Sequence, residues 1–115
     1  MESITDKIWI GNYLDARNQA ALAEVGIRSI FCLDGCMADA TAEEVGVERT
    51  EVVELIDGAG NPPERFLRAV RLLRDLASMH APVLVHCHAG QSCSAVVVCK
   101  YFMQESRSLI RKAIV

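Results

Sequence analysis

Apolar residues along this chain fall into two rhythms. One consists of short continuous runs: Lys7-Ile8-Trp9-Ile10, closed by the turn signal Gly11-Asn12; Ile27 to Leu33; and Val83-Leu84-Val85. Runs of this length, bounded by Gly, Pro or Asp, predict strands, and the wholly apolar ones suit the interior of a sheet. The other rhythm is helical. Ala21, Leu22 and Val25 predict a helix over roughly 16–25, capped by Asp15 or Asn18 and ended by Gly26. Phe66, Ala69, Val70, Leu73, Leu76 and Ala77 recur at the same period through Ser78. Ahead of them, Asn61-Pro62-Pro63-Glu64 offers an N-cap, a proline at the first helical position and a glutamate three after the cap. Arg65, Arg68, Arg71 and Arg74 take the opposite face, the solvated side of an amphipathic helix.

Between these elements the pattern predicts a short helix around Thr41 to Val45 and a strand from Val47 to Ile56, partnered on one face only. Ala81-Pro82 ends the long helix. From Ala95 to Gln104 the chain is apolar almost all round. Val96-Val97-Val98 has strand propensity, but the small polar loop before it argues for a helix buried on most sides. Strands alternating with helices imply an α/β layer structure with a mainly parallel central sheet.

Composition narrows the class. The 115 residues, 51% hydrophobic and 23% charged, fit one globular domain over 1–115. A net charge of -3 argues against a sequence-independent nucleic-acid binder and gives no reason to expect docking on an anionic membrane. No apolar run approaches the ~18 residues that span a bilayer. The opening Met1-Glu2-Ser3-Ile4-Thr5-Asp6 lacks the basic-then-apolar form of a secretory signal, which points to an intracellular, cytoplasmic protein. The five cysteines, Cys32, Cys36, Cys87, Cys93 and Cys99, are odd in number and share no repeated spacing. In a reducing compartment most such cysteines are buried small apolar residues.

One segment carries chemistry: Val83-Leu84-Val85-His86-Cys87-His88-Ala89-Gly90-Gln91-Ser92-Cys93-Ser94. A buried strand runs into a polar loop holding a cysteine, and the loop runs into a helix. Successive backbone N–H groups in such a loop can form an anion-binding nest, and the positive end of the following helix adds to it. Gly90 allows a tight backbone path. A thiolate at the base of the cradle is stabilised by the same donors and becomes a nucleophile aimed at a bound phosphorus. Two other chemistries use the same residue types. His80, His86, Cys87, His88 and Cys93 are metal-ligand types without zinc-finger spacing. Cys87 and Cys93 would pair as a disulfide if the loop brought their Cα atoms within about 7 Å.

With those residues in view, the chain resembles the cysteine-based protein phosphatases, specifically the small dual-specificity group, whose signature reads His-Cys-x-x-Gly-x-Ser-Arg-Ser. His86, Cys87, Gly90, Ser92 and Ser94 match it, and the likeness extends to Ile4 through Asn12 and to the strand Ile27 to Leu33. The resemblance implies a three-layer protein-tyrosine-phosphatase-like fold, with helices on both faces of the sheet. It implies hydrolysis of phosphotyrosine, phosphoserine or phosphothreonine through a cysteinyl-phosphate on Cys87, without a metal or organic cofactor. It assigns phosphate binding to His88, Ala89, Gly90, Gln91, Ser92 and Cys93, a supporting role to His86, and assistance in breaking down the intermediate to Ser94. Asp57, on a loop between the strand Val52 to Ile56 and the helix opening near Pro62, takes the place of the general acid.

Two departures stand out. Position 93 is arginine in the family signature and cysteine here. A guanidinium grips two phosphate oxygens and neutralises transition-state charge; a thiol does neither. Turnover is therefore expected to be strongly impaired, and the alternative is a pseudophosphatase that binds a phosphoprotein or another partner. The family also usually continues past Ser106-Arg107-Ser108 with further helices, so the C-terminal helices look truncated. The apolar face so exposed would favour self-association. Residues 87–93 hold no lysine or arginine, which favours a phosphorylated protein over polyphosphorylated lipids or RNA ends.

Overall fold

In a computed structural model of the chain, the structure describes residues 1–33, 42–55, 63–86 and 97–105. The sheet has five strands: β1 (Glu2–Ser3), β2 (Ile8–Gly11), β3 (Ser29–Cys32), β4 (Arg49–Val52) and β5 (Val83–His86), in the spatial order β1-β2-β5-β3-β4. β1 is antiparallel to β2; every other pairing is parallel. β5, the strand that leads to Cys87, lies between β2 and β3, and all four of its residues are buried.

Alternation along the strands divides the core in two. Val83, Val85, Phe31, Leu33 and Ile8 pack on one face with α4 (Pro63–Met79) and with Val97, Val98 and Tyr101 of the helical residues 97–105. Leu84, Ile30 and Cys32 pack on the other with Ala16, Leu22, Ile27 and Val45, which belong to or adjoin α1 (Tyr13–Arg17), α2 (Gln19–Val25) and α3 (Ala42–Val45). A mainly parallel sheet covered on both faces is the three-layer α/β arrangement expected from the sequence.

The helix expected over 16–25 is in fact two helices. Asn12, read as a turn residue, caps α1: its side chain accepts from the Asp15 amide at 3.0 Å, and its own amide donates to Asp15 Oδ2 at 2.9 Å. Asp15 is thus the third helical residue of a capping box rather than a cap. Asn18 ends α1 and caps α2, accepting from the Ala21 amide at 3.2 Å. An asparagine that captures backbone donors competes with helix continuation, so the chain breaks there. Gly26 ends α2 with φ of 78°, in the left-handed region.

The helix 97–105 also departs from expectation. Val97, Val98 and Tyr101 are buried, but Cys99 and Met103 are exposed, so this segment packs along one side rather than most. Cys99 likewise departs from the reading of the cysteines as buried; Cys32 follows it. The apolar C-terminal residues and the helix cap at Asn61 lie outside the described residues. Among the described residues, no helix is long and apolar enough to cross a membrane.

A polar clamp fastens the amino-terminal ends of the central strands. Arg28 donates to both carboxylate oxygens of Glu48 (2.7 and 2.9 Å), and His80 Nδ1 lies 3.0 Å from the same carboxylate. Ser29 Oγ donates to the His80 carbonyl at 2.9 Å, and the Arg28 amide to the Pro82 carbonyl at 2.9 Å. The start of β3, the lead into β4 and the link between α4 and β5 are thereby tied together. Hydrogen bonding from Arg28, then from His80, holds the Glu48 carboxyl at about 2, against an ordinary value of 4.5. A depressed carboxylate stabilises the fold fully above its unfolded value and ceases to do so as pH falls through its folded value. The thermal midpoint should therefore fall between pH 4.5 and 2, and Glu48→Gln should flatten that part of the profile. The effect will be small because the groups are exposed. A circular-dichroism melting series checks it, and identical slopes in the two proteins would exclude the clamp as the cause.

Candidate active site

The carboxyl ends of the parallel strands lead, in sequence, into the segments that hold the candidate residues. Gly11, Cys32, Val52 and His86 close β2, β3, β4 and β5, and they stand in register at one edge of the sheet. The segments 34–41, 56–62 and 87–96 all follow from this edge. Ligands of open α/β sheets bind in the crevice outside such strand ends.

Backbone hydrogen bonds continue beyond the strands and tie together the last described residues before these segments. The Leu33 amide donates to the His86 carbonyl at 2.8 Å, and the Leu55 amide donates to the Leu33 carbonyl at 3.0 Å. Leu55 and His86 are therefore two inter-strand spacings apart, about 10 Å. Cys87 is the next residue after His86, and Asp57 lies two beyond Leu55. His86 itself is fully buried. On the other side of β5, Gly11 stands opposite His86. A Cβ on Gly11 would lie 2.6 Å from Asp15 Oδ2, the oxygen that completes the α1 cap, so this close approach requires glycine. Val97 packs in the same cluster as Val85, so the chain returns from the strand end to a helix against the same core.

Of the residues proposed from sequence, His86 is placed, at the end of the central strand. Cys87, His88, Ala89, Gly90, Gln91, Ser92, Cys93, Ser94 and Asp57 lie outside the described residues. The arginines of α4 are exposed: Arg65 donates to the Glu54 carbonyl at 3.4 Å, and Arg74 bonds Gln104 and pairs with Glu105. Sequence reasoning passed over the Leu33 and Leu55 amides, because backbone donors leave no mark in residue type. It also passed over Asp34 as a second candidate carboxylate; that residue follows Leu33 in sequence and lies outside the described residues.

Comparison with solved structures gives this arrangement its class. The fold matches the crystal structure of DUSP15 with a TM-score of 0.75 at 20% identity, over 90% of this chain and 64% of that one. It matches OH1 from the Orf virus, a tyrosine phosphatase, with a TM-score of 0.74 at 22% identity, over 96% of this chain and 63% of that one. The human tyrosine phosphatase-like serine/threonine/tyrosine-interacting protein matches with a TM-score of 0.72 at 25% identity, over 90% of this chain and 72% of that one. The fold is that of the protein-tyrosine-phosphatase-like α/β proteins. More narrowly, the chain belongs to the dual specificity phosphatase catalytic-domain family, whose pattern it matches over residues 8–115. Among curated proteins it is similar to the dual specificity protein phosphatase PHS1 of Arabidopsis thaliana, with 28% identity over 96% of this chain. The chain spans only 12% of that protein's length.

Proposed function

We propose that this domain binds phosphorylated protein at residues 87–93 and hydrolyses the phosphoester slowly, with Cys87 as nucleophile. The observation that carries this reading is the family match over residues 8–115, joined to His86 at the end of the central strand with Cys87 next in sequence. The Cys87 thiolate attacks phosphorus, the P–O bond to the substrate breaks, and Asp57 protonates the departing oxygen. Water then hydrolyses the cysteinyl-phosphate, assisted by the Ser94 hydroxyl. The backbone amides of 88–93 hold the phosphate. Cys93 supplies no cation, so ground-state binding survives better than transition-state stabilisation. A free thiolate needs reducing surroundings, which suits the cytoplasm.

Substrate class follows from charge and likeness. The absence of basic side chains in 87–93 favours one phosphate on a protein over clustered phosphates. OH1 of the Orf virus is described as having triple substrate specificity, and the dual-specificity relatives support both phosphotyrosine and phosphoserine/threonine here. Cys93 also favours a second reading, a binding module without turnover, and the human phosphatase-like interacting protein is a precedent for such a name.

The enzymatic reading and a phosphoprotein-binding module both require phosphate recognition. A fluorescent phosphotyrosyl peptide should bind the chain measurably, its unphosphorylated twin should not, and millimolar inorganic phosphate should displace it. Cys87→Ser should keep most of that binding, since the amide nest is unchanged. Equal binding of the two peptides would remove the basis of both, leaving only a module that binds an unphosphorylated partner.

A further inference from the structure

Among the described residues the sheet ends at β4. Its four residues pair with β3 on one side, and no described strand lies on the other. Open edges invite pairing, and charge is the usual means of preventing it. The charges on β4 have an unusual property. Arg49 and Glu51 alternate along the strand, so they project from one face, where Arg49 Nη2 and Glu51 Oε1 form an ion pair at 2.9 Å. Thr50 separates them. Read in the opposite direction, Arg-Thr-Glu becomes Glu-Thr-Arg. A second copy laid antiparallel, with Thr50 on the two-fold axis, places each arginine opposite the partner copy's glutamate.

The surroundings fit such an edge. Arg49 and Glu51 overhang an open cleft of about 180 Å³, whose other wall is the end of α4 (Leu72, Asp75, Leu76 and Met79) with His80 just after it. Met79 is 70% exposed. Across a two-fold axis through β4, the two α4 ends lie on the same face of the joined sheet, with their apolar side chains flanking the axis.

We propose that β4 is a self-association edge, at which two copies of this chain pair antiparallel through Arg49–Glu51, centred on Thr50, into one continuous sheet. The contact is isologous, so one patch serves both subunits. Opposite charges directly across a strand pair favour pairing and like charges oppose it. A segment of uniform charge leaves either Arg49 or Glu51 facing its own sign, whereas a second copy satisfies both. A slip of one residue sends the partner's charges to the other face of the sheet, so the register is specified. The charges that select the partner, Arg49 and Glu51, precede the strand end at Val52, and the proposal does not depend on the phosphatase reading.

Sedimentation equilibrium over about 10 µM to 1 mM tests it. A short contact, below the ~1,000 Å² of stable interfaces, should give a dissociation constant on the order of 100 µM. Arg49→Glu and Glu51→Arg each set like charges across the axis, and each should weaken self-association by at least about tenfold. Mixing the two variants should restore a dimer, because each now complements the other. The double exchange Arg49→Glu with Glu51→Arg should also recover it. Circular-dichroism melting of each variant shows that the fold is retained. A monomer throughout the range overturns the proposal. So does a dimer indifferent to both variants, or a mixture of folded variants that stays monomeric.

Discussion

Cys93→Arg should raise the rate of aryl phosphate hydrolysis by about 10³- to 10⁵-fold, the range over which an arginine finger accelerates phosphoryl transfer. The effect is large because the guanidinium acts mainly in the transition state, where charge spreads over the equatorial oxygens and two parallel hydrogen bonds grip them. On the proposed reading, backbone amides of residues 88–93 hold the ground-state phosphate in either protein. The gain should therefore appear in kcat and much less in KM. Cys87→Ser in the restored background should return the rate to near that of buffer, since a hydroxyl is a far weaker nucleophile at neutral pH. A flat rate in folded Cys93→Arg protein would leave the binding-module reading in place of the enzymatic one. Rapid turnover by the unmodified chain would mean that another residue supplies the cation.

The fold was legible where burial dictates residue type. Val83-Leu84-Val85 and Ile30-Phe31-Cys32 are apolar on both faces because helices cover both sides of the sheet, and that signal survives in a single sequence. The break at Asn18 was hidden, because asparagine serves equally well inside a polar helix face, at a cap or in a turn. Only the backbone amides it captures decide among these roles. The exposed side of residues 97–105 was hidden for a related reason: Cys99 and Met103 are small or flexible enough to sit in a core or in water. For the site, the sequence supplied the motif, and of that motif the structure describes His86, which ends the strand between β2 and β3, where adjoining strand ends converge. That convergence depends on strand order, which residue type does not record.

The same convergence bears on the general acid. Asp57→Asn in the Cys93→Arg background should lower the rate by about 10²- to 10⁴-fold for phosphoserine or phosphotyrosine peptides, the usual contribution of a positioned acid. The loss should shrink to a small factor for a substrate whose leaving group is already acidic, because that oxygen departs without a proton. The pH profile gives a second signature. With Asp57 present, the rate should fall at high pH as the acid ionises; without it, that limb should disappear. The structural support is the pair of hydrogen bonds from Leu55 to Leu33 and from Leu33 to His86, which start the Asp57 and Cys87 segments about 10 Å apart at one sheet edge. Asp34, the next residue in sequence after Leu33, is the necessary control. Asp34→Asn should keep both the basic limb and the leaving-group dependence. If Asp34→Asn removes the limb while Asp57→Asn preserves it, the proton comes from the β3 end and Asp57 is a turn residue ahead of Gly58. If neither change alters rates for a poor leaving group at any pH, water or another side chain protonates the departing oxygen.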